Sequence, residues 1–186
     1  QLANSILEAD GNITITANDV NLDSSAQIRS GSGTSTLTFL ETGENADMEL
    51  GGTSQGASWQ METAEFDTIQ DGFSSVVFGS SSYIGDLYIT GALNAGTNDL
   101  IFKADEIDIS ANMSGTGDIQ FTSADVNQEI EIGSTDAADL NLTATELGFL
   151  QDGWNSITIG ASDHTSLIAV NEAVNFSDTA HIRNIT

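Results

Sequence analysis

Cysteine and proline are both missing from the 186 residues of this chain. Without cysteine the chain forms no disulfide and offers no thiolate to a metal, although this absence does not fix its compartment. Proline lacks the N–H group that an interior strand donates, so a proline-free sequence is compatible with strands that are paired on both sides. These two absences leave a sheet-rich protein without covalent cross-links.

Basic residues are nearly missing too. Arg29, Lys103 and Arg183 stand against 28 acidic residues, for a formal charge of -25. Nucleic acids and anionic membrane surfaces are bound by clustered Lys or Arg, so this charge argues against both partners.

No apolar run approaches the roughly 20 residues that span a bilayer, and membrane insertion is not expected. The chain starts at Gln1 without a basic and apolar leader, and any export signal is therefore expected to have been removed or to lie outside this sequence.

Helical periodicity is absent over any three consecutive turns, and a period of two takes its place. Triplets of apolar, variable and apolar residues recur every 6 to 13 residues, as in Ile13-Thr-Ile15, Leu87-Tyr-Ile89 and Ile157-Thr-Ile159. This alternation indicates short strands with one buried face, and the Gly, Asn, Asp and Ser residues between them indicate turns. Many short strands and almost no helix are predicted.

The sequence repeats itself. "QDGFSSVVFG" from Gln70 returns as "QDGWNSITIG" from Gln151, and "ITITANDVNL" from Ile13 is answered by "LIFKADEIDI" from Leu100. A shorter echo links "VNLDSSAQIR" near the start with "VNFSDTAHIR" near the end. We expect one domain over 1–186, with internal repeats at roughly 13–93 and 100–170 and a partial third copy at 171–186.

A long internal period made of three-strand blocks favours a three-sided parallel β-helix over the remaining alternative, a β-sandwich. Apolar residues of each coil would stack on their counterparts one coil away, about 4.8 Å apart. Asp71-Gly72 and Asp152-Gly153 are predicted at a corner, with Phe73 and Trp154 plugging the interior beside it. The six to seven expected coils start near Ile13, Leu37, Phe66, Leu100, Ile119, Leu147 and, as a partial coil, Val174.

The second half of the chain carries a resemblance. "ADEIDIS" is followed by "LNLTATEL" and then by "DGWNSITIG", and this series resembles the repeats of very large bacterial exoproteins, the filamentous-haemagglutinin-like adhesins of cyanobacteria and other aquatic bacteria. The similarity extends over nearly the whole chain. It implies an exported cell-surface or matrix protein built of right-handed β-helix coils. Thr179 stands where the family pattern often has proline, which leaves the fold intact but marks an atypical member.

Acidic residues on neighbouring strands suggest calcium as a candidate ligand, because like charges opposite one another in a ladder are destabilising and oxygen ligands suit this cation. The alternative is a solvated acidic face that maintains solubility. No EF-hand loop or glycine-rich nonapeptide is present, and no cofactor is required by this interpretation. The candidate calcium pairs are Glu106 and Asp108 beside Glu129 and Glu131, Asp19 beside Asp47, and Asn21 beside Glu49.

Catalysis is not expected. A polysaccharide lyase needs a basic residue and cations near a uronate, and the few basic residues here are scattered, while paired carboxylates for a hydrolase are uninformative in so acidic a chain. Tyr83 and Tyr88 are weak candidates for glycan contacts, and Trp59 is expected in the core. His164 and His181 are interpreted as turn residues rather than a metal pair. The triplets "TIT" and "TLT" do not recur on one side of every coil, which argues against ice binding.

A non-enzymatic, secreted or cell-surface structural protein is therefore predicted: a stalk, sheath or matrix fibre. Both ends of such a column expose unpaired strand edges, so the expected partner is a second copy, joined head to tail. The alternative is a glycan- or surface-binding adhesin module without self-assembly.

Overall fold

A computed structural model describes residues 4–43, 45–83, 85–133 and 140–174, together with the backbone of 182–185. The fold is all-β, with 42% of the described residues in strands and 5% in helices. The strands in chain order are β1 (Ile6–Ala9), β2 (Ile13–Ala17), β3 (Gln27–Ser30), β4 (Thr36–Glu41), β5 (Met48–Gly51), β6 (Trp59–Glu62), β7 (Ser75–Gly79), β8 (Leu87–Ile89), β9 (Leu93–Asn94), β10 (Leu100–Ala104), β11 (Ile107–Ile109), β12 (Met113–Ser114), β13 (Asp118–Ser123), β14 (Ile130–Ile132), β15 (Leu140–Leu142), β16 (Ser156–Ile159), β17 (Ile168–Val170) and β18 (Ile182–Ile185). Two four-residue helices, α1 (Thr63–Phe66) and α2 (Ala144–Leu147), follow β6 and β15.

Seven strands form the main sheet, in the order β2, β4, β7, β10, β13, β16 and β18. This spatial order is also their order in the chain, and every pair is parallel. Ile13 pairs with Leu37, Leu37 with Val76, and Val76 with Leu100. The chain therefore leaves the sheet after each strand and returns one position further along. A β-sandwich is built of antiparallel sheets, so the parallel pairing argues against that alternative.

The segments that connect successive strands of the main sheet contain shorter strands, and these form further parallel sheets. A second sheet has the order β11-β8-β5-β6, and a third sheet has the order β15-β14-β17. Two-stranded sheets, β1-β3 and β12-β9, account for the rest. Isolated parallel bridges join Ile28 to Ile69 and Met113 to Leu150, which places the segments after α1 and α2 beside strands from neighbouring turns of the chain.

Alternation within the main sheet builds the core. Phe39, Phe78, Phe102 and Phe121 occupy the same inward position on four successive strands and are fully buried. Their rings stack with centroid distances of 5.1, 5.7 and 5.6 Å, as offset aromatic pairs do. Trp59 of β6 is also fully buried and meets Phe39 edge-on, so the expectation that it is a core residue is confirmed.

The predicted corners are confirmed. Gly72 and Gly153 have φ values of 113° and 127°. Residues with a Cβ atom rarely adopt such backbone angles. Phe73 and Trp154, which follow them, are each 4% exposed and belong to the core. The buried amide of Asn98 supports the first corner, because its Oδ1 accepts hydrogen bonds from the backbone N–H groups of Gly72 (3.1 Å) and Phe73 (3.0 Å).

One feature of the repeat is an inversion of strand order. Strand β6 pairs with β5 on the side away from β8, and β15 pairs with β14 on the side away from β17. In each repeat, therefore, the later strand of the pair folds back toward the start of the chain before its helix begins. The expected coil starts at Phe66 and Leu147 fall in α1 and α2, because the segment there is occupied by the helix that follows the folded-back strand.

The two copies of the shorter echo, at 20–29 and 174–183, do not contribute strands to the same sheet. Gln27–Ser30 lies in the two-stranded sheet with β1, whereas Ile182–Ile185 pairs with β16 in the main sheet. Local sequence similarity does not give these two segments the same place. Most of the echo's second copy, including His181, lies outside the described residues. The number of coils, their handedness and the repeat boundaries stay predictions.

Candidate functional site

The aligned outward positions of the second sheet are polar, and two of them are acidic. Glu49 of β5 lies beside Tyr88 of β8, and Tyr88 lies beside Asp108 of β11. Each of these residues alternates with buried apolar neighbours on its strand. The same outward position of the third sheet holds Glu131 beside Asn141. Polar residues thus follow the outward side of both sheets, and we call these aligned positions, which include Glu49, Asp108 and Glu131, the acidic ladder.

The register predicted for the first calcium group is wrong. Asp108 lies on β11, with Glu106 just before it, and β11 has β8 on one side and β15 on the other. Strand β15 separates β11 from β14, which carries Glu131, with Glu129 just before it. Because the folded-back strand comes between them, the two acidic pairs are not neighbours in a ladder.

The predicted pairing of Asp19 with Asp47 fails for the same reason. Asp19 Oδ1 accepts the backbone N–H of Gln60 in β6 (3.1 Å), and β6 then pairs with β5, which Asp47 precedes. Asn21 and Glu49 are likewise separated by this strand. Asp47 instead accepts a hydrogen bond from the backbone N–H of Asp86 (3.1 Å).

Over the described ranges, no group of three or more His, Cys, Asp or Glu residues is arranged to hold a metal ion. Asp108 is exposed, and Glu131 Oε1 accepts a hydrogen bond from Asn171 Nδ2 (3.0 Å). Calcium binding by the six predicted acids stays a prediction.

The structure gives two of these acids a different role. Glu106 Oε1 accepts the backbone N–H of Asn141 in β15 (3.1 Å), as Asp19 does for Gln60 in β6. Both carboxylates also bond to the N–H of the residue that follows them, Ile107 (3.3 Å) and Val20 (2.9 Å). In both repeats a carboxylate joins the folded-back strand to the neighbouring segment that carries this carboxylate.

A second carboxylate completes each connection from the opposite direction. Glu65 of α1 accepts the backbone N–H of Leu22 through Oε1 (2.8 Å), and Glu146 of α2 accepts that of Ile109 in the same way (3.1 Å). The other oxygen of Glu146 accepts the N–H of Thr143 (2.7 Å), the residue before the helix. We name these arrangements carboxylate joints: the first consists of Asp19 and Glu65 with their partners, the second of Glu106 and Glu146 with theirs.

The two joints differ in how much their carboxylates are exposed to solvent. The first borders a solvent-open cleft of about 450 Å³ whose lining includes Asp19, Gln60 and Glu65, and Asp19 is exposed. In the second joint Glu106 is half-buried. Burial, with smaller contributions from the charges of Glu146 and Asp86, raises the pKa of Glu106 to about 7 against the opposing effect of the two backbone N–H groups.

Glu49 is the one fully buried acid among the described residues. Burial alone would raise its pKa, but hydrogen bonds from Thr90, Ser54 and Gln55 outweigh that effect, so the pKa lies below its ordinary value. Thr90 Oγ1 lies 2.6 Å from Glu49 Oε1, and the N–H groups of Ser54 and Gln55 lie 2.6 and 3.0 Å from its oxygens. Glu49 thus orders the connection between β5 and β6.

The tyrosines do not form an outward pair. Tyr83 is 4% exposed and donates its hydroxyl hydrogen to the carbonyl of Asp86 (3.0 Å), so this weak candidate for glycan contacts lies in the core. Tyr88 is half-buried on the outward ladder and donates to Asp86 Oδ2 (3.1 Å). Burial and the charge of Asp86 raise the pKa of Tyr88 to about 12. Glycan binding by Tyr88 stays a prediction.

The basic side chains of the described ranges lie apart from the acidic ladder. Arg29 forms an ion pair with Glu8 at the β1–β3 sheet, and both side chains are largely exposed. Lys103 lies on the main sheet, in register with Thr122. His164 follows a turn closed by its N–H on the carbonyl of Ala161 (3.1 Å).

The outward face of the main sheet contrasts with the acidic ladder. The register aligns one outward residue from each of its first six strands, and none of the six is charged. The members of this neutral ladder are Thr14, Thr38, Val77, Ile101, Gln120 and Thr158.

Comparisons of the chain with protein-family models, with curated proteins and with solved structures find no match. None of the helices in the described part of the chain has the length and apolar character needed to cross a bilayer. The resemblance to haemagglutinin-like repeats therefore stays a prediction that depends on the sequence motifs.

Proposed function

We propose that this chain is a right-handed, three-sided β-helix that serves as a structural element of an exported stalk, sheath or matrix fibre. The observation that carries the proposal is the main sheet, in which seven parallel strands stack in the order in which the chain makes them. A solenoid is the simplest path that returns a chain to the same sheet one strand further along each time. The long internal period of short strands in the sequence supports the same proposal.

The internal repeat supports the solenoid. The register aligns Ile13, Leu37 and Val76 on the first three strands of the main sheet. Their sequence equivalents, Leu100, Ile119 and Ile157, occupy the same position on the next three strands. One repeat thus corresponds to three strands of this sheet. Adding repeats of this kind lengthens the column without changing its cross-section, which is the geometry that a stalk or fibre requires.

Load along the column axis is borne by backbone hydrogen bonds that run between the stacked strands. The stacked phenylalanine rings add apolar contacts in the same direction. The outward acidic ladder and the overall charge of -25 favour solubility and oppose unspecific clumping. Neither role requires a cofactor or a catalytic group.

Head-to-tail association of copies is the proposed mode of assembly. Strand β2 is the edge of the main sheet, and β1, in the separate two-stranded sheet with β3, carries Ile6 and Leu7, which are 55% and 44% exposed. At the other end Leu167 and Val170 are 59% and 56% exposed. Apolar residues at an open strand edge favour pairing with another chain, and a contact between unlike ends that does not close yields a filament.

Electron microscopy of the purified chain over a range of concentrations tests the proposal. We expect filaments at high concentration, with a fibre-diffraction spacing of about 4.8 Å along the axis. Leu7→Glu should abolish filaments by placing a charge at the edge, whereas Ser81→Glu, at an exposed position between β7 and β8 and away from both ends, should not. Isolated particles at every concentration would refute self-assembly, and a filament without the axial spacing would refute the stacked column.

A further inference from the structure

The two carboxylate joints occur where backbone pairing between strands is interrupted. Strands β11 and β15 lie side by side but belong to different sheets, and the segment from Asp19 to Leu22, which meets β6 at the first joint, belongs to no strand. At these places the N–H groups of Asn141 and Gln60 find side-chain oxygens rather than carbonyls of a neighbouring strand. A few side-chain hydrogen bonds thus replace a strand ladder.

The second joint brings like charges together. Glu106 faces Glu146 from α2 and Asp86 from the segment before β8, and Asp105 and Asp108 flank it along the chain. No basic side chain of the described residues forms an ion pair with any of them. When Glu106 is neutral, its carbonyl oxygen can still accept the N–H of Asn141, and its repulsion with Glu146 disappears.

We propose that the second carboxylate joint is a pH-sensitive opening point, closed when Glu106 carries a proton and loosened when Glu106 and Glu146 are both ionised. The proposal concerns the local contact between β11 and β15 and does not depend on fibre formation. Opening exposes Glu106 to water and removes the cause that favours its neutral form.

The sign follows from proton binding. Burial raises the pKa of Glu106 to about 7 in the closed joint, whereas an exposed Glu titrates near 4.3. The closed state therefore binds more protons, so its stability is fully present below the pKa of the open state and is lost as the pH rises through about 7. Between pH 6 and pH 8 the shift corresponds to at most a roughly tenfold rise in the opening constant, and because Glu106 is only half-buried, solvent screening reduces it to about three- to tenfold.

The first joint is a built-in control. Asp19 is exposed and borders an open cleft, so water screens its charge in the closed state as well as in the open state. The opening constants reported by the N–H groups of Gln60 and Leu22 should therefore show less dependence on pH between 6 and 8 than those of Asn141 and Ile109.

Residue-resolved hydrogen exchange of the full chain at pH 6, 7 and 8 tests the proposal, with each rate divided by the intrinsic rate at that pH. We expect the opening constants of Asn141 and Ile109 to rise about three- to tenfold, and those of Gln60 and Leu22 to rise less. Glu106→Gln keeps the acceptor oxygen but removes the charge and should abolish the rise. Overturning results are an unchanged opening constant in the wild type, an equal rise at both joints, or a rise that persists in Glu106→Gln. If this variant does not fold, the comparison of the two joints in the wild type decides alone.

Discussion

The stacked phenylalanines make a quantitative test of the core. Phe78 and Phe121 are both fully buried at the same inward position of the main sheet. Phe78 contacts four aromatic rings, those of Phe39, Trp59, Phe66 and Phe102, with centroid distances of 5.1 to 6.3 Å. Among the described residues, Phe121 contacts one aromatic ring, that of Phe102, at 5.6 Å. The two positions therefore differ mainly in aromatic contacts.

Truncation to Ala at either position should cost about 3–5 kcal/mol of unfolding free energy, the usual cost for a buried phenylalanine. Each aromatic pair contributes about 0.5–1.5 kcal/mol beyond area burial, so the three additional pairs of Phe78 raise its cost. Contributions within one cluster are not additive, and we therefore take the lower end, a difference of about 1.5 kcal/mol. Phe78→Leu and Phe121→Leu, which retain most of the apolar volume, should preserve this difference.

Urea unfolding is the assay, followed by far-ultraviolet circular dichroism and by fluorescence of Trp59 and Trp154 in single-tryptophan variants. The two tryptophans lie in different repeats, and coincident transitions are needed before one free energy is assigned to the chain, because repeat proteins lose cooperativity as they lengthen. Equal losses at Phe78 and Phe121, within about 0.5 kcal/mol, would refute the view that ring stacking stabilises this column beyond burial.

Two further predictions concern single positions. Gly51→Ala should destabilise the fold by about 2–3 kcal/mol. Gly51 has a φ of 84°, and an added Cβ would lie 2.4 Å from the carbonyl oxygen of Gly91. As the control, a Cβ at Gly11 would meet nothing within 4 Å, so Gly11→Ala should be neutral or slightly stabilising in the same unfolding assay. Glu49→Gln should cost about 2–3 kcal/mol at pH 7, because its amide group turns N–H donors toward the donors of the β5–β6 connection. Since the pKa of Glu49 is lowered in the fold, the greater stability of the wild type over Glu49→Gln should be full above about pH 4.5 and shrink as the pH falls below it. A stability difference that does not depend on pH would contradict this role. An equal loss of stability in the exposed Asp163→Asn would contradict it too.

Local patterns of the sequence were sufficient to predict the strands. Period-two alternation marks the inward residues of the main sheet, and the Asp-Gly pairs mark corners whose glycines adopt positive φ. Phe73 and Trp154 were predicted inside for the same reason, since a bulky apolar residue directly after a corner has no other place to be buried. These features depend on a few neighbouring residues, which a sequence displays directly.

The order in which strands stack was not predictable in this way. The triplets at Met48 and Trp59 have the same apolar pattern, and nothing in them shows that the second lies on the side away from β8. The predicted calcium pairs failed at this step, because they assumed that chain order and stacking order agree. One signal was available: Thr143 and Glu146 match the capping-box pattern of a helix start, and a helix after this strand implies that the chain does not continue directly into the next side.

The inverted strand order also explains why side chains with acceptor oxygens occupy the joints, and Glu146 shows what a carboxylate adds over an amide, which has one acceptor oxygen. A strand that folds back presents N–H groups to a segment with which it does not pair, and a buried N–H without an acceptor costs about 1–3 kcal/mol. Lys and Arg have no acceptor to offer, and a hydroxyl on a short side chain does not reach across the gap that Glu65 and Glu146 span from their helices. A carboxylate has two oxygens, so Glu146 can hold the N–H of Ile109 and that of Thr143 at once. Part of the acidity of this chain is therefore a structural requirement of its strand order, and the charge repulsion in the second joint follows from the same requirement.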